Sequence, residues 1–205
     1  MNKIIIVGAG GFGREAAWVI DRSNAVNPTY ELLGFCDDDS EYCMTHYGSS
    51  YLGTLEEVAE GYSGVSFFCA IGKNRIRQSV TKHLTESGLA MVTVIDPSAV
   101  IAPDVTVGDG SFIGIGSVIS VSTKIGSGVI INHNVTVGHD VTVDDFAQLC
   151  PGVSLSGSCH VGEGALLGSN SATVQERKIG AWSTLGIGAV LLSDLEDGQS
   201  RVRLR

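Results

Sequence analysis

The sequence predicts an N-terminal α/β domain followed by a C-terminal left-handed parallel β-helix built of hexapeptide repeats. Two observations carry this. An apolar strand, a glycine-rich turn and a helix follow one another over residues 3–21. A six-residue aliphatic period then runs without insertion from Ile95 to Leu191. Composition agrees: glycine supplies 27 of 205 residues, about twice its ~7% average usage. Only 17% of residues are charged and 6% aromatic, which suits tight turns repeated often with extended segments between them.

In the first half, residues 3–7 form a compact apolar strand. Gly8, Gly10 and Gly13 fill a G-x-G-x-x-G pattern between that strand and the helix over 14–21. Bare glycines let backbone N–H groups approach a phosphate, and the helix N-terminus adds favourable dipole charge. A second strand over 31–36 ends in Asp37, Asp38 and Asp39, where carboxylates can accept hydrogen bonds from ribose hydroxyls or a base edge. Residues 55–59 read as helix, 65–72 as a buried strand ending at Gly72, Lys73 and Asn74, 76–87 as helix, and 91–95 as a strand entering the second half. About 90 residues make a half-Rossmann unit, too short for a two-half dinucleotide fold, so it suits one nucleotide better than NAD.

In the second half, stepping by six from Ile95 gives an aliphatic residue every time except Thr173. The position four further on is small or β-branched except at Arg177. A helix repeats at 3.5 or 3.6, so a strict six is not helical. Six residues make one short strand and one corner, and three such faces close a coil that stacks at about the ~4.8 Å strand spacing. The aliphatic residue points inward and the small one fits beneath the corner. About five coils result, with a face distorted or looped outward at Thr173 and Arg177. The expected domains are 1–92 (α/β), 93–191 (β-helix) and 192–205 (a C-terminal tail).

Charge and cysteine usage narrow the class. Thirteen Lys plus Arg against 22 Asp plus Glu give a net charge of −9, which argues against a nucleic-acid backbone as partner. Cys36, Cys43, Cys69, Cys150 and Cys159 are odd in number and contain no C-x-x-C pair. That argues against a disulfide framework or a zinc cluster and fits a reducing cytoplasm. Residues 1–13 are followed at once by Arg14 and Glu15 without a clear cleavage pattern, so they do not read as a signal peptide. No apolar run approaches the ~20 residues of a membrane helix.

The glycine-rich turn over residues 7–13, the three-aspartate strand end, and a hexapeptide prism carrying Asn132, His139 and Asp140 together resemble one bacterial family. It is the sugar acyltransferases of the sialic acid O-acetyltransferase (NeuD) type, including PglD-like N-acetyltransferases of nucleotide-linked 4-amino sugars. The likeness runs from about residue 2 to residue 191. It implies homotrimers, acetyl-CoA as donor with no metal, and an active site between neighbouring prisms. The nucleotide sugar is expected on the α/β domain, presenting its amine to the prism. By the same resemblance His139 is the catalytic base, Asp140 its acidic partner and Asn132 the site's asparagine. The nucleotide site falls on Gly10, Gly11, Gly13, Asp37, Asp38, Gly72, Lys73 and Asn74. Two departures stand out. Gln148 occupies the place of a second histidine near the thioester carbonyl, and the family's Gly-x-Pro-Ala segment after the last coil has no counterpart.

The residues themselves point the same way. An amine attacking a thioester must lose a proton, and histidine titrates nearest working pH. Of the five histidines, His46 reads as a loop residue, His83 as exposed on a helix, His160 as a solvent-facing corner and His133 as a stacking or interface residue. His139 lies two places past the inward Val137 and so points outward. Gly157 is eighteen residues on, one coil above His139, and is expected to supply an oxyanion-binding amide. Pro151, Ser169 and Ile187 form another eighteen-residue column, along which a pantetheine arm can lie, with Gln148 beside it. Arg177, Lys178, Arg201, Arg203 and Arg205 are candidates for CoA phosphates. Val129, Ile130, Val174 and Val190, at non-inward positions, are expected to form trimer contacts.

The reading is a cytoplasmic acetyl-CoA-dependent N-acetyltransferase acting on the amine of a nucleotide-linked amino sugar, in particular a 4-amino-4,6-dideoxy sugar. The alternative within the class is a sialic acid or other sugar O-acetyltransferase. Outside it stand a non-catalytic trimeric scaffold and a nicotinamide oxidoreductase; the latter rests on the glycine-rich turn alone.

Overall fold

The computed structural model of the chain describes residues 1–202, so Arg203 and Arg205 lie outside the described residues. The chain divides into two compact units, Met1–Val94 and the residues from Ile95 onward.

In the first unit, β1 (Asn2–Val7) is flanked by β2 (Tyr30–Cys36) and β4 (Ser66–Cys69), both parallel to it. With β3 (Tyr51–Gly53) and β5 (Ala90–Met91), the sheet order is β3-β2-β1-β4-β5. Ile4, Ile5 and Ile6 are fully buried, as a central parallel strand covered on both faces requires. The strand order reverses at β1, so the carboxyl ends of β1 and β4 flank the crevice where open α/β sheets bind ligands. Helices α1 (Gly11–Val26), α2 (Ser40–Tyr47), α3 (Leu55–Gly61) and α4 (Asn74–Glu86) connect the strands. Gly13 lets α1 approach β1, because a Cβ there would run into the Gly8 carbonyl.

Sequence reasoning missed α2. Asp39 caps it, its Oδ1 accepting the Tyr42 N–H at 3.0 Å. His46 lies in the last turn of this helix, not in a loop.

The second unit is a prism of three parallel faces. The first carries Val100–Ile101, Val118–Ile119, Thr136–Val137, Ser154–Leu155, Ala172–Thr173 and Val190–Leu191. The second carries Thr106–Val107, Lys124–Ile125, Thr142–Val143, His160–Val161 and Lys178–Ile179. The third includes Phe112–Ile113, Ile130–Ile131, Gln148–Leu149, Leu166–Leu167 and Thr184–Leu185. Partners such as Val118 and Thr136 show the coil of three sixes. The period-six aliphatics from Ile113 to Leu191 form one core. Three of the buried small polar residues are paired: the hydroxyls of Ser111, Ser117 and Thr123 donate to the carbonyls of Gly126, Asn132 and Gly138 at 2.8, 2.7 and 3.0 Å, whereas the Ser171 and Ser183 hydroxyls are buried without a partner among the described residues.

One expectation holds in part and two change. The coil does not loop outward at Thr173, which stays in its strand and is buried, but the face is distorted there, since Leu155 and Thr173 do not pair. Arg177 instead turns its side chain outward to the Gln175 carbonyl and Asp194, while its own carbonyl still accepts the His160 N–H at 2.9 Å. Past residue 191 the chain continues the coil: Leu195 is buried and bridges Ile179, and Ser200–Arg201 pairs with Thr184–Leu185. Leu195 follows Leu191 by four instead of six, so a strict period overlooks it. Val129 and Ile130 are buried, and Val129 belongs to the core because it occupies the small-residue position beneath a corner. Val174 and Val190 are exposed.

Among the described residues, no helix is long and apolar enough to cross a membrane, and no group of three or more His, Cys, Asp or Glu is placed to hold a metal.

Candidate active site and nucleotide cleft

His139 stands at the corner between the first and second faces, just past Thr136–Val137. Asp140 turns the chain with φ 58°, and its N–H donates to the Val121 carbonyl at 3.1 Å. This fixes the backbone from which both side chains project. His139 Nδ1 lies 2.7 Å from Asp140 Oδ2, with the two side chains 51% and 60% exposed. A carboxylate only accepts, so Nδ1 carries a proton, and in the neutral ring Nε2 keeps its lone pair. Asp140 thereby orients the ring.

Gly157, one coil on, is buried against that ring. A Cβ on Gly157 would lie 2.6 Å from Nε2 and 2.7 Å from Cε1 of His139. The carbonyl of His139 accepts the Ser158 N–H at 2.8 Å, holding the two turns together. The Gly157 N–H has no hydrogen-bond acceptor among the described residues.

Asn132, Gln148, Ser169 and Ile187 lie elsewhere, along the corner between the third and first faces and on the strand before it. One whole face separates them from His139 within a single chain. The Asn132 Oδ1 accepts the His133 N–H at 2.8 Å, which leaves the NH2 group as the donor toward a ligand. The Gln148 Oε1 is buried without a partner. Ser169 is half-buried and Ile187 is 75% exposed. The column with Pro151 is real: Asn170 N–H donates to the Pro151 carbonyl and Gly188 N–H to the Ser169 carbonyl, at 3.0 and 2.9 Å.

The other histidines have different surroundings. His133 Nδ1 accepts the Ile115 N–H at 3.2 Å, and its ring meets Phe112 edge-on. His160 is on a strand of the second face, not at a corner, and its Nε2 lies 2.7 Å from Asp144 Oδ2. Sequence reasoning missed this second histidine–carboxylate pair. The signal was available, because a residue sixteen places apart on adjacent coils lies within side-chain reach.

In the first unit, Val7, Gly8, Cys36, Asp37, Asp38, Leu55, Ile71, Ile76 and Val80 line a cleft at the carboxyl ends of the strands. Asp37 Oδ2 accepts the Ala9 N–H at 2.7 Å, and Tyr47 donates its hydroxyl to the Ala9 carbonyl. Ala9 is thus held from both sides, while the amides of Gly10 and Gly11 have no partner among the described residues. A Cβ at Gly10 or Gly72 would meet open space, so a ligand can approach there. Asp38 Oδ1 accepts the Leu55 N–H at 3.0 Å, so part of the acidic run also secures the start of α3. Lys73 is exposed at the start of α4.

Two cations beside this cleft escaped sequence reasoning. Arg14 Nη1 donates to the Tyr42 hydroxyl at 2.9 Å, and hydrogen bonds to Tyr47 and Tyr42 push its pKa up. Arg14 lies one turn past Gly11 on α1, but its contact with Tyr42 depends on α2, which was not foreseen. Arg77 is buried and donates to the Ile71 carbonyl and the Asn74 Oδ1, each at 3.0 Å, securing the turn that carries Gly72 and Lys73. Burial lowers its pKa to about 10.

The fold and site define a class: an acyltransferase on a left-handed parallel β-helix, with a Rossmann-like α/β unit ahead of it in the chain. Residues 3–84 match the family described as the PglD N-terminal domain. The chain is 30% identical to the acetyltransferase domain of PglB from Neisseria gonorrhoeae FA1090, solved in complex with acetyl coenzyme A. That match covers 99% of this chain and 97% of the other, with a TM-score of 0.89. It is 28% identical to a variant of perosamine N-acetyltransferase from Caulobacter crescentus in complex with CoA and GDP-perosamine, over 99% and 94% of the two chains, TM-score 0.89. WeeI from Acinetobacter baumannii AYE, 23% identical over 99% and 97%, has the same fold with a TM-score of 0.87. The chain belongs to the PglD/NeuD-type family of sugar acetyltransferases.

Proposed function

We propose that this protein transfers an acetyl group from acetyl-CoA to the amine of a nucleotide-linked 4-amino-4,6-dideoxy sugar, with His139 as general base. The observation that carries the proposal is the His139–Asp140 bond of 2.7 Å, which leaves Nε2 as an acceptor beside the unbonded Gly157 amide. The neutral amine attacks the thioester carbonyl carbon, and its N–H proton passes to Nε2. The carbonyl oxygen takes up negative charge, for which the Gly157 N–H is the donor. The C–S bond then breaks, the protonated imidazole supplies the departing sulfur with a proton, and CoA leaves as the thiol. Asp140 stabilises the imidazolium in between. His160 and Asp144 have a similar separation, but among the described residues no glycine is packed so that a Cβ on it would meet that ring.

The α/β unit holds the nucleotide sugar. The amides of Gly10 and Gly11 at the start of α1 suit the diphosphate. The apolar walls Leu55, Ile71 and Ile76 with Asp37 and Asp38 suit a base and ribose, and the turn of Gly72, Lys73 and Asn74 closes the cleft.

The working unit is a homotrimer. Asn132, Gln148, Ser169 and Ile187 line one edge of the first face and His139 the other, so a second copy must bring the edges together. The face between them suits such a contact. Its outward column, Val100, Val118, Thr136, Ser154, Ala172 and Val190, carries no charge, and its three valines are exposed. Acetyl-CoA lies along the Pro151, Ser169 and Ile187 column in this reading, with Gln148 donating toward the thioester. Five free cysteines, four of them buried, accord with a cytoplasmic setting.

The test offers GDP-, UDP- and TDP-linked 4-amino sugars and free sialic acid to the enzyme with acetyl-CoA, and reads thiol release. Turnover confined to a nucleotide-linked amine supports the proposal. Turnover of sialic acid alone replaces it with O-acetylation, and failure to bind acetyl-CoA by calorimetry leaves a scaffold.

A further inference from the structure

Thr173 is the one inward position of the six-residue period that is not aliphatic. It stacks one coil beyond Leu155, the residue that leads into Ser156 and Gly157. Elsewhere in the prism, the amide just past an inward residue donates to the carbonyl of the inward residue one coil on. Gly138 bonds Leu155 in this way at 2.9 Å, Asp144 bonds Val161 at 2.8 Å, and Cys150 bonds Leu167 at 2.9 Å. At Ser156 the rung is exchanged. The Ser156 N–H donates to the Thr173 Oγ1 at 3.1 Å, and the Ser156 hydroxyl donates to the Thr173 carbonyl at 2.6 Å. The strand register reflects this, since Ser154 pairs with Ala172 but Leu155 and Thr173 do not pair. Thr173 Oγ1 also lies 3.3 Å from Cys159 Sγ, whose thiol donates to the Val174 carbonyl. Thr173 is only 6% exposed, and a polar group buried this deeply is kept only if its bonds are made.

We propose that Thr173 is a positioning residue for His139: by taking the Ser156 amide on its hydroxyl, it sets the Ser156–Gly157 turn at the height on which the imidazole rests. The inference rests on the reading of His139 as base. The path is short. Thr173 holds Ser156, Gly157 follows it, and Gly157 touches the ring so closely that a Cβ would stand 2.6 Å from Nε2. With an aliphatic residue at 173, the Ser156 amide returns to the ordinary carbonyl rung, as at Gly138. The turn then shifts against the ring, and Nε2 is no longer aimed.

The experiment uses the full chain and four variants: Thr173→Val, Thr173→Ser, Thr173→Ala and His139→Ala. It reads steady-state kinetics and the NMR signals of the histidine rings, with His139 assigned by its loss in His139→Ala. Thr173→Val is expected to lower kcat about tenfold, as small misplacements of a reacting group do, with both KM values within about twofold. It should move the His139 ring signals but not those of His160, and Thr173→Ser should restore both readouts. An unmoved His139 ring in Thr173→Val overturns the proposal whatever the activity. So does a moved ring with unchanged kcat in an enzyme that needs His139. If Thr173→Val does not fold, Thr173→Ala removes the same hydroxyl with a smaller side chain, and an unmoved ring there is equally decisive against it. Failure of the base reading looks different: His139→Ala then keeps full turnover, while the ring signals of Thr173→Val still decide where Thr173 acts.

Discussion

Gly157 lies against the imidazole of His139, one coil away, with room for a hydrogen and no more. A methyl group there would stand 2.6 Å from Nε2, well inside carbon–nitrogen contact distance, so Gly157→Ala must displace the ring. The Asp140 bond would then pull against the displaced ring. A shift of about 1 Å in a reacting group costs up to ~10²-fold in rate, and Gly157→Ala is expected to lower kcat by about that factor. The backbone at Gly157 does not have a positive φ, so folding and melting temperature should change little. Unchanged kcat with alanine in place would show that the ring does not need this seat.

His139→Ala removes the proposed proton acceptor. General-base catalysis contributes about 10² to 10⁴, so kcat should fall within that range while acetyl-CoA binding and assembly persist. Asp140→Asn keeps a partner for Nδ1 but loses the charge that stabilises the imidazolium, so its loss should be smaller. His160→Ala is the control: its ring pairs with Asp144 on the second face, and turnover should stay within about twofold. A His160 variant as damaged as the His139 variant would reassign the base.

Legibility in the sequence varied with the range of the contacts. The prism could be read because each inward residue, from Ile113 to Leu191, meets its own equivalent six and eighteen places away. The pairing of His139 with Asp140, adjacent residues at a corner, was legible for the same reason. The first unit was legible at β1 and the glycine-rich turn, where Gly13 answers a local approach to Gly8. It was obscure where contacts depend on tertiary placement. Nothing near Arg14 in the sequence announces Tyr42, twenty-eight residues on, and a cap by Asp39 makes a helix of a segment with little apolar periodicity. Leu195 was lost because the coil shortens by two residues, and Thr173 looked like a defect because its partner, Ser156, lies seventeen residues back.

Arg14 stands at the mouth of α1 next to Gly11, so a diphosphate on the Gly10 and Gly11 amides comes within its reach. Its guanidinium is exposed and bonded to Tyr42, and it can exchange that neutral acceptor for a charged one. Charge-assisted hydrogen bonds are the stronger kind. Arg14→Ala is therefore expected to raise KM for the nucleotide sugar roughly tenfold. The KM for acetyl-CoA and kcat should hold. Equal KM values for the nucleotide sugar in the two proteins would remove Arg14 from the site.

The buried thiols give a pH dependence of stability. Burial pushes the Cys36 thiol from its ordinary 9.0 up to about 12, and the Cys69 thiol up to about 11. The folded chain therefore holds protons that the unfolded chain releases above pH 9. The stabilisation is complete below pH 9 and is lost as pH rises through 11 and 12. The urea midpoint should fall between pH 8 and pH 10.5, and replacing both cysteines by alanine should flatten that fall. At pH 8 the two thiols should resist a thiol reagent until the protein unfolds. Prompt reaction of both in the native protein would contradict their burial.

The first face of the prism supplies the last test. Val100, Val118 and Val190 are 62%, 42% and 57% exposed there, in a column with no charged member. The second face differs, carrying Lys124, His160 and Lys178 in the equivalent outward register. Aspartate at Val118 costs the isolated prism little, because the position faces outward. In a trimer packed on this face it buries a carboxylate without a partner, and that is costly for association. Val118→Asp should therefore sediment as a monomer with an unchanged circular dichroism spectrum. It should also lose turnover, since His139 of one copy is then parted from Asn132 and Gln148 of the next. Lys124→Asp, on the second face, should leave both assembly and turnover intact. A Val118→Asp protein that still sediments as a trimer would place the contact on another face, whereas a monomer that keeps full activity would mean that one chain completes the site by itself.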